Sequence, residues 1–364
     1  MLRAALIGFP SSGKSTLFQL MTSAKDAPKG KGDVAIGISK VPDTRLDTLT
    51  AMYNPRKRVP ATVEFTDMLA PARSGAGAQT LVDVAGYKNA DALVHVVRAF
   101  RDASIPHPSG SVDPARDAQA MEDELILADL GVVEKRLERL EKDLKKTKTS
   151  ELEKERDLLQ KCKDALEAGK PLRALDLTGD DLKRLRGFQL LSAKPLLLVI
   201  NLDEADLADV GASIEKAAQN TGLTSFLAHA ATKAVAVCGK IELEISQLEA
   251  ADAAAFLSDL GLTESGLDRV IRATYDLLGY MSFFTVGEDE CRAWSIARNT
   301  PAQLAAGEIH SDIQRGFIRA EVVSYAALTG RGSMQVCKEH GEVRLEGKEY
   351  IVQDGDIINF RHAT

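Results

Sequence analysis

Gly8-Phe9-Pro10-Ser11-Ser12-Gly13-Lys14-Ser15 decides the fold of this 364-residue chain. It fits the pattern G-x-x-x-x-G-K-[ST] in the required setting, directly after a strand and directly before a helix. Residues 4–7 read as the short apolar strand, and residues 15–21 read as the helix. Glycines let such a loop curl so that backbone N–H groups converge on phosphate oxygens, and the helix adds its positive N-terminal end. Ser11, Ser12, Gly13, Lys14, Ser15 and Thr16 then form the cradle. Lys14 reaches the β- and γ-phosphates, and the Ser15 hydroxyl joins the shell of a Mg²⁺ ion. The stretch points to an α/β protein of the P-loop NTPase class, with ATP or GTP as ligand.

Working outward, residues 62–67 (TVEFTD), 92–97 (ALVHVV), 195–200 (PLLLVI) and 234–237 (AVAV) supply further strands. Short apolar runs separated by helical segments predict a mainly parallel sheet covered on both faces. A P-loop needs an acid at the end of a neighbouring strand to hold the metal through water, and Asp67 ends the TVEFTD strand. Signalling NTPases carry a Gly three positions later and often a water-orienting Gln after it. Here those places hold Ala70 and Pro71, so any hydrolytic aid must come from elsewhere.

Asn201-Leu202-Asp203-Glu204 follows the PLLLVI strand, where a GTPase carries Asn-Lys-x-Asp. The Asp of that pattern accepts the two guanine N–H donors. Glu204 is one methylene longer, and a buried carboxylate facing adenine would be unpaired. Leu202 offers an apolar surface to a purine. These features favour ATP over GTP, although an exposed Glu204 is compatible with either base. Cys238-Gly239-Lys240 resembles the Ser-Ala-Lys loop of GTPases, placing Cys238 and Gly239 beside the base.

The sheet pattern is interrupted. Leu130, Val133, Leu137, Leu140 and Leu144 recur at steps of three and four, and Leu152, Leu159, Cys162 and Leu166 form a looser second stripe. With a polar turn at 145–150 between them, they predict an antiparallel helical hairpin. Residues 282–286, 292–296, 317–323, 349–352 and 357–360 read as strands of a separate small mixed sheet, with a short helix from 301.

A net charge of −7 argues against a uniformly basic nucleic-acid coat. Lys145, Lys146, Lys148, Arg315, Arg319 and Arg331 are candidates for local basic faces on RNA, or for a solvated surface. Four separated cysteines read as free thiols of a reducing compartment. The apolar start is broken by Gly8-Phe9-Pro10 before a signal sequence develops, and no run approaches the ~18 apolar residues that span a bilayer. A soluble protein without a membrane partner is expected.

These motifs resemble the YchF/Obg-like ATPases over nearly the whole chain. The resemblance rests on the GFPSSGKSTLF loop, Val41-Pro42-Asp43-Thr44-Arg45-Leu46, the Asn201–Glu204 variant and Leu172-Arg173-Ala174-Leu175-Asp176-Leu177. Most specific are Ala306-Gly307-Glu308-Ile309-His310 and Gly316-Phe317-Ile318-Arg319-Ala320-Glu321, which look like the family's TGS module. The resemblance implies a Ras-like, Obg-type G domain over residues 1–117 and 189–278, an inserted coiled-coil hairpin over 118–188, and an α+β, ubiquitin-like TGS domain over 279–364. It also implies ATP preference, slow hydrolysis, a cytoplasmic location and association with ribosomes or other translation components. A monomer is favoured. His107, in Arg101-Asp102-Ala103-Ser104-Ile105-Pro106-His107, matches the His thought to replace the water-orienting Gln. The family's first-switch Thr falls near Lys31, where no Thr stands. A conventional GTPase and a nucleotide-stabilised scaffold with little turnover are the alternatives.

Overall fold

The computed structural model describes residues 2–22, 34–68, 84–210, 213–229 and 231–363. Its strands are β1 (Arg3–Ile7), β2 (Val34–Lys40), β3 (Lys57–Val59), β4 (Thr62–Met68), β5 (Ala92–Arg98), β6 (Leu196–Asn201), β7 (Thr232–Val237), β8 (Tyr280–Thr285), β9 (Glu290–Ala297), β10 (Phe317–Ser324), β11 (Arg344–Glu346) and β12 (Asp356–His362). The chain divides into two units, one of residues 2–38 and 64–277, the other of 39–63 and 278–364.

In the first unit the sheet order is β2-β4-β1-β5-β6-β7, with β4, β1, β5, β6 and β7 mutually parallel. Every residue of β5 and β6 is buried, which explains their unbroken apolar runs. Helix α1 (Lys14–Thr22) packs Leu17, Phe18 and Met21 inward. Because β1 has β4 on one side and β5 on the other, its carboxyl end opens at the point where the strand order reverses, the customary ligand position of such sheets.

The expected hairpin forms, and its first helix starts earlier than the leucine stripe. After α2 (Thr44–Tyr53), α3 runs over Pro114–Lys146 and α4 over Ser150–Glu167. Asp113 caps α3 by accepting from Arg116 N (3.0 Å), and Pro114 sits where a missing N–H costs nothing. Leu137, Leu140, Leu159 and Cys162 share one core, and Arg136 grips Glu155 with two bonds of 2.8 and 2.9 Å.

Polar groups fix the base of the hairpin. Asp129 on α3 accepts from Leu191 N, Ser192 N and Ser192 Oγ at 2.7, 2.7 and 2.6 Å. Arg173, within the Leu172–Leu177 stretch, donates to Glu122 of α3, to Thr232 Oγ1 (3.2 Å) and to Ser192 O (3.3 Å). Arg173 and Glu122 are both buried, so removing one partner strands the other's charge. Arg173→Ala should therefore cost about 3–5 kcal/mol in urea unfolding.

His95 on β5 is fully buried, and burial together with the nearby Arg173 cation lowers its pKa to about 3 from 6.5. The unfolded chain takes up this proton near the ordinary value while the folded chain does not. Its contribution is present above pH 6.5 and is lost as pH falls towards 3. Between pH 7 and 5 this group alone should remove about 2 kcal/mol, and His95→Gln should flatten that part of the pH dependence of urea unfolding.

In the second unit the sheet order is β11-β10-β12-β8-β9-β3. β8 runs parallel to β12 and β3 parallel to β9, while β11–β10, β10–β12 and β8–β9 are antiparallel. Phe283 stacks on Trp294 and meets Phe360 edge-on in its core. Asp43 caps α2 through Arg45 N (3.0 Å), and the Arg45 guanidinium is held by Asp43 and Asp354 over the Phe284 ring. Residues 349–352 are not the expected strand. Asp356 takes hydrogen bonds from Tyr350 Oη and Gln353 N, both 2.8 Å, which curls the segment and leaves only a bridge between Ile351 and Pro301.

Candidate functional site

The loop between β1 and α1 needs its glycines for different reasons. Gly8 has φ +149°, and a Cβ there would lie 2.6 Å from the Val96 carbonyl of β5. Gly13 has φ +91°, and a Cβ there would collide with the Asn201 amide. Ser11 itself adopts a left-handed φ of +63°. Ser12 is buried, and its hydroxyl has no hydrogen-bond partner among the described residues.

Asp67, at the end of β4, is buried and meets both polar side chains that begin α1. Lys14 Nζ donates to Asp67 Oδ1 and to Met68 O (3.1 Å), while Ser15 Oγ donates to Asp67 Oδ2 (2.8 Å). The spacing from residue 14 to 67 is thus closed by direct contact.

Asn201 joins the phosphate loop to the loop after β7. Its Nδ2 donates to Ser12 O and its Oδ1 accepts from Gly239 N, each at 2.9 Å. Burial raises the neighbouring Cys238 thiol above its ordinary pKa, so it stays a neutral wall. A cavity of about 570 Å³ opens along this seam. Ser11, Gly13 and Thr16 bound it on the phosphate side, and Asn201, Leu202, Glu204, Cys238 and Gly239 on the other. Eight expected nucleotide contacts thus share one space. Lys14 and Ser15 instead face Asp67.

The sequence reading missed Asp203, the third wall made by Phe100, Arg101, Asp102 and Ile105, and the flank of Lys240 and Leu243. The segment after β5 has no periodicity to mark it. Only its position after a buried strand, next to Asn201 in register, would have pointed there. Asp203 accepts from Arg101 N (3.0 Å), and Glu204 is exposed, 3.7 Å from Lys240 Nζ.

His107 is not among the residues lining the cavity. Its ring is buried, with Nε2 2.8 Å from Asp117 Oδ2 and Nδ1 accepting from Ser109 N (3.1 Å). Lys31, Ala70 and Pro71 lie outside the described residues.

A Gly-rich loop on the central strand, an acid on its neighbour and a cavity at the strand ends define a P-loop nucleotide-binding protein. Comparison with known proteins narrows the class. A family model, YchF-GTPase_C, described as "Protein of unknown function (DUF933)", matches residues 280–363. The chain is 43% identical over 366 residues to the ribosome-binding ATPase YchF of Bacillus subtilis (strain 168), covering 99% of each chain. It is 36% identical over 367 residues to that of Escherichia coli O157:H7, covering 98% of each. It is 33% identical to Obg-like ATPase 1 of Oryza sativa subsp. japonica, covering 99% of this chain and 92% of the other. The solved structure of the Schizosaccharomyces pombe YchF GTPase superposes with a TM-score of 0.83 at 29% identity, over 99% of this chain and 97% of that one. The chain belongs to the YchF family.

Because Asn201 supports two loops at once, Asn201→Ala should leave the Ser12 carbonyl and the Gly239 N–H unpaired. A loss of about 2–4 kcal/mol is expected in urea unfolding, with weaker nucleotide binding by calorimetry.

Proposed function

We propose that this protein is a nucleoside triphosphatase that binds ATP in the cavity beside Asn201, hydrolyses it slowly, and associates with ribosomes according to its nucleotide state. The observation that carries the reading is a glycine-built loop that borders a cavity of about 570 Å³ and leads into Lys14 and Ser15, both held by Asp67. Among the described residues no helix is long and apolar enough to cross a membrane, and the proposed location is the cytoplasm.

In this reading the N–H groups of the loop and of α1 face the triphosphate, and Lys14 exchanges Asp67 for phosphate oxygens. Ser15 and Asp67 are hard oxygen donors and fit Mg²⁺ held chiefly by phosphates and water. When bound, that ion would neutralise charge on the β- and γ-phosphates. Leu202 and Cys238 give the base an apolar wall. Asp203 is tied to Arg101, and Glu204 turns to solvent and Lys240. A guanine would have to draw a carboxylate back from these partners, whereas adenine requires none, which supports ATP.

Catalysis by His107 would require the ring to leave Asp117 and present a free nitrogen to water. Its present engagement favours slow or partner-dependent turnover, and equally a scaffold with little turnover. For ribosome contact, Lys145, Lys146 and Arg319 make no ion pair among the described residues. Lys148, Arg315 and Arg331 are paired with Glu153, Asp312 and Glu342.

Calorimetry with Mg²⁺ should give tighter binding of ATP than of GTP, and Lys14→Ala should weaken ATP at least tenfold. Ribosome pelleting should change between ATP and ADP, and single-turnover hydrolysis should quicken on ribosomes. Equal ATP and GTP affinities would return the GTPase reading. Unchanged zero turnover with ribosomes would leave the scaffold.

A further inference from the structure

Arg98 ends β5 and is buried, and no carboxylate lies within ion-pair distance of it among the described residues, although the Asp102 carboxyl feels its charge. Its guanidinium instead collects the carbonyls of the segment that follows. Nε donates to Phe100 O (3.3 Å), and Nη2 to Ile105 O (2.8 Å) and Asp102 O (3.4 Å). The same group lies over the Phe100 ring, 4.5 Å from its centroid. The opposite side of the segment is held from β6 and the loop beyond it. Ala99 N and Phe100 N both donate to Asn201 O at 2.9 Å, and Arg101 N donates to Asp203.

The segment has no helix or ladder of its own, so its inward carbonyls draw on a side-chain donor, Asp102 O in addition to the Ile105 N–H (3.2 Å). Three of them receive it from one planar fork, which a lysine ammonium cannot replace in geometry. Phe100, Asp102 and Ile105, whose carbonyls Arg98 holds, are themselves cavity walls. Nη1 of Arg98 is buried without a partner among the described residues, so the residue is an expensive choice if its task were only to close a turn.

We propose that Arg98 is a positioning residue for the nucleoside part of the ligand: it folds residues 99–105 into the wall that the base and ribose meet, and takes no part in gripping phosphate. The proposal rests on the nucleotide site argued above. Arg98→Lys keeps the charge and loses the fork, and Arg98→Met keeps the bulk alone. In calorimetry with Mg²⁺, both variants should lose tenfold or more in ATP affinity while inorganic triphosphate binds within twofold of the unaltered protein. Loss of both ligands in equal measure, or of neither, overturns the proposal. Asp203→Ala frees the same wall from its other anchor. If the Arg98 variants do not fold, its selective loss of ATP supports the proposal and unchanged ATP binding overturns it. Failure of the unaltered protein to bind either ligand would instead sink the nucleotide site itself.

Discussion

The side-chain amide of Asn201 is the constraint on which the site depends. Its nitrogen donates to the Ser12 carbonyl and its oxygen accepts from the Gly239 N–H at equal distances, while the main-chain carbonyl of the same residue accepts from Ala99 N and Phe100 N. Three loops from three strands are thus referred to one buried residue at the end of β6. An amide can do this because it offers a donor and an acceptor in one plane, which neither a carboxylate nor a hydroxyl of that reach provides in the same way. The room it needs explains Gly13, whose missing side chain lets the phosphate loop approach.

Within the first unit the hairpin is tied to the sheet by another economy of polar groups. Asp129 satisfies two backbone donors and one hydroxyl before β6, and Arg173 spans from α3 to the start of β7. Burial raises the Asp129 carboxyl above its usual range while the three hydrogen bonds oppose that rise, and they account for its place inside the fold. The Leu172–Leu177 stretch therefore has a structural meaning: its arginine is the pin between an inserted pair of helices and the sheet.

Much of this was legible in the residues. The loop motif, the acid ending β4, and the Asn201 and Cys238 segments carry chemistry in residue type and spacing; the loop and the two segments border one cavity, and the acid meets Lys14 and Ser15. The hairpin declared itself because a buried stripe on a helix imposes a period. Residues 99–105 gave no such signal, since a segment held by side-chain donors needs neither alternation nor a stripe. Residues 349–352 misled because alternation was read without the acid at 356, whose two hydrogen bonds bend the backbone away from a ladder. His107 matched a motif, but a motif carries no information about whether Asp117, ten positions on, faces the ring.

The pairing of β3 with β9 has a bearing on the order of synthesis. Lys57, Arg58 and Val59 lie in register with Glu290, Cys291 and Arg292, more than two hundred positions later. A growing chain exposes α2 and β3 long before their sheet exists, and closing so long a separation is slow compared with local pairing. The edges of β3 and the apolar side of α2 must wait, shielded by nothing from their own unit, until the last quarter of the polypeptide has emerged. A message broken before that point would yield a product whose early segment has no sheet to join.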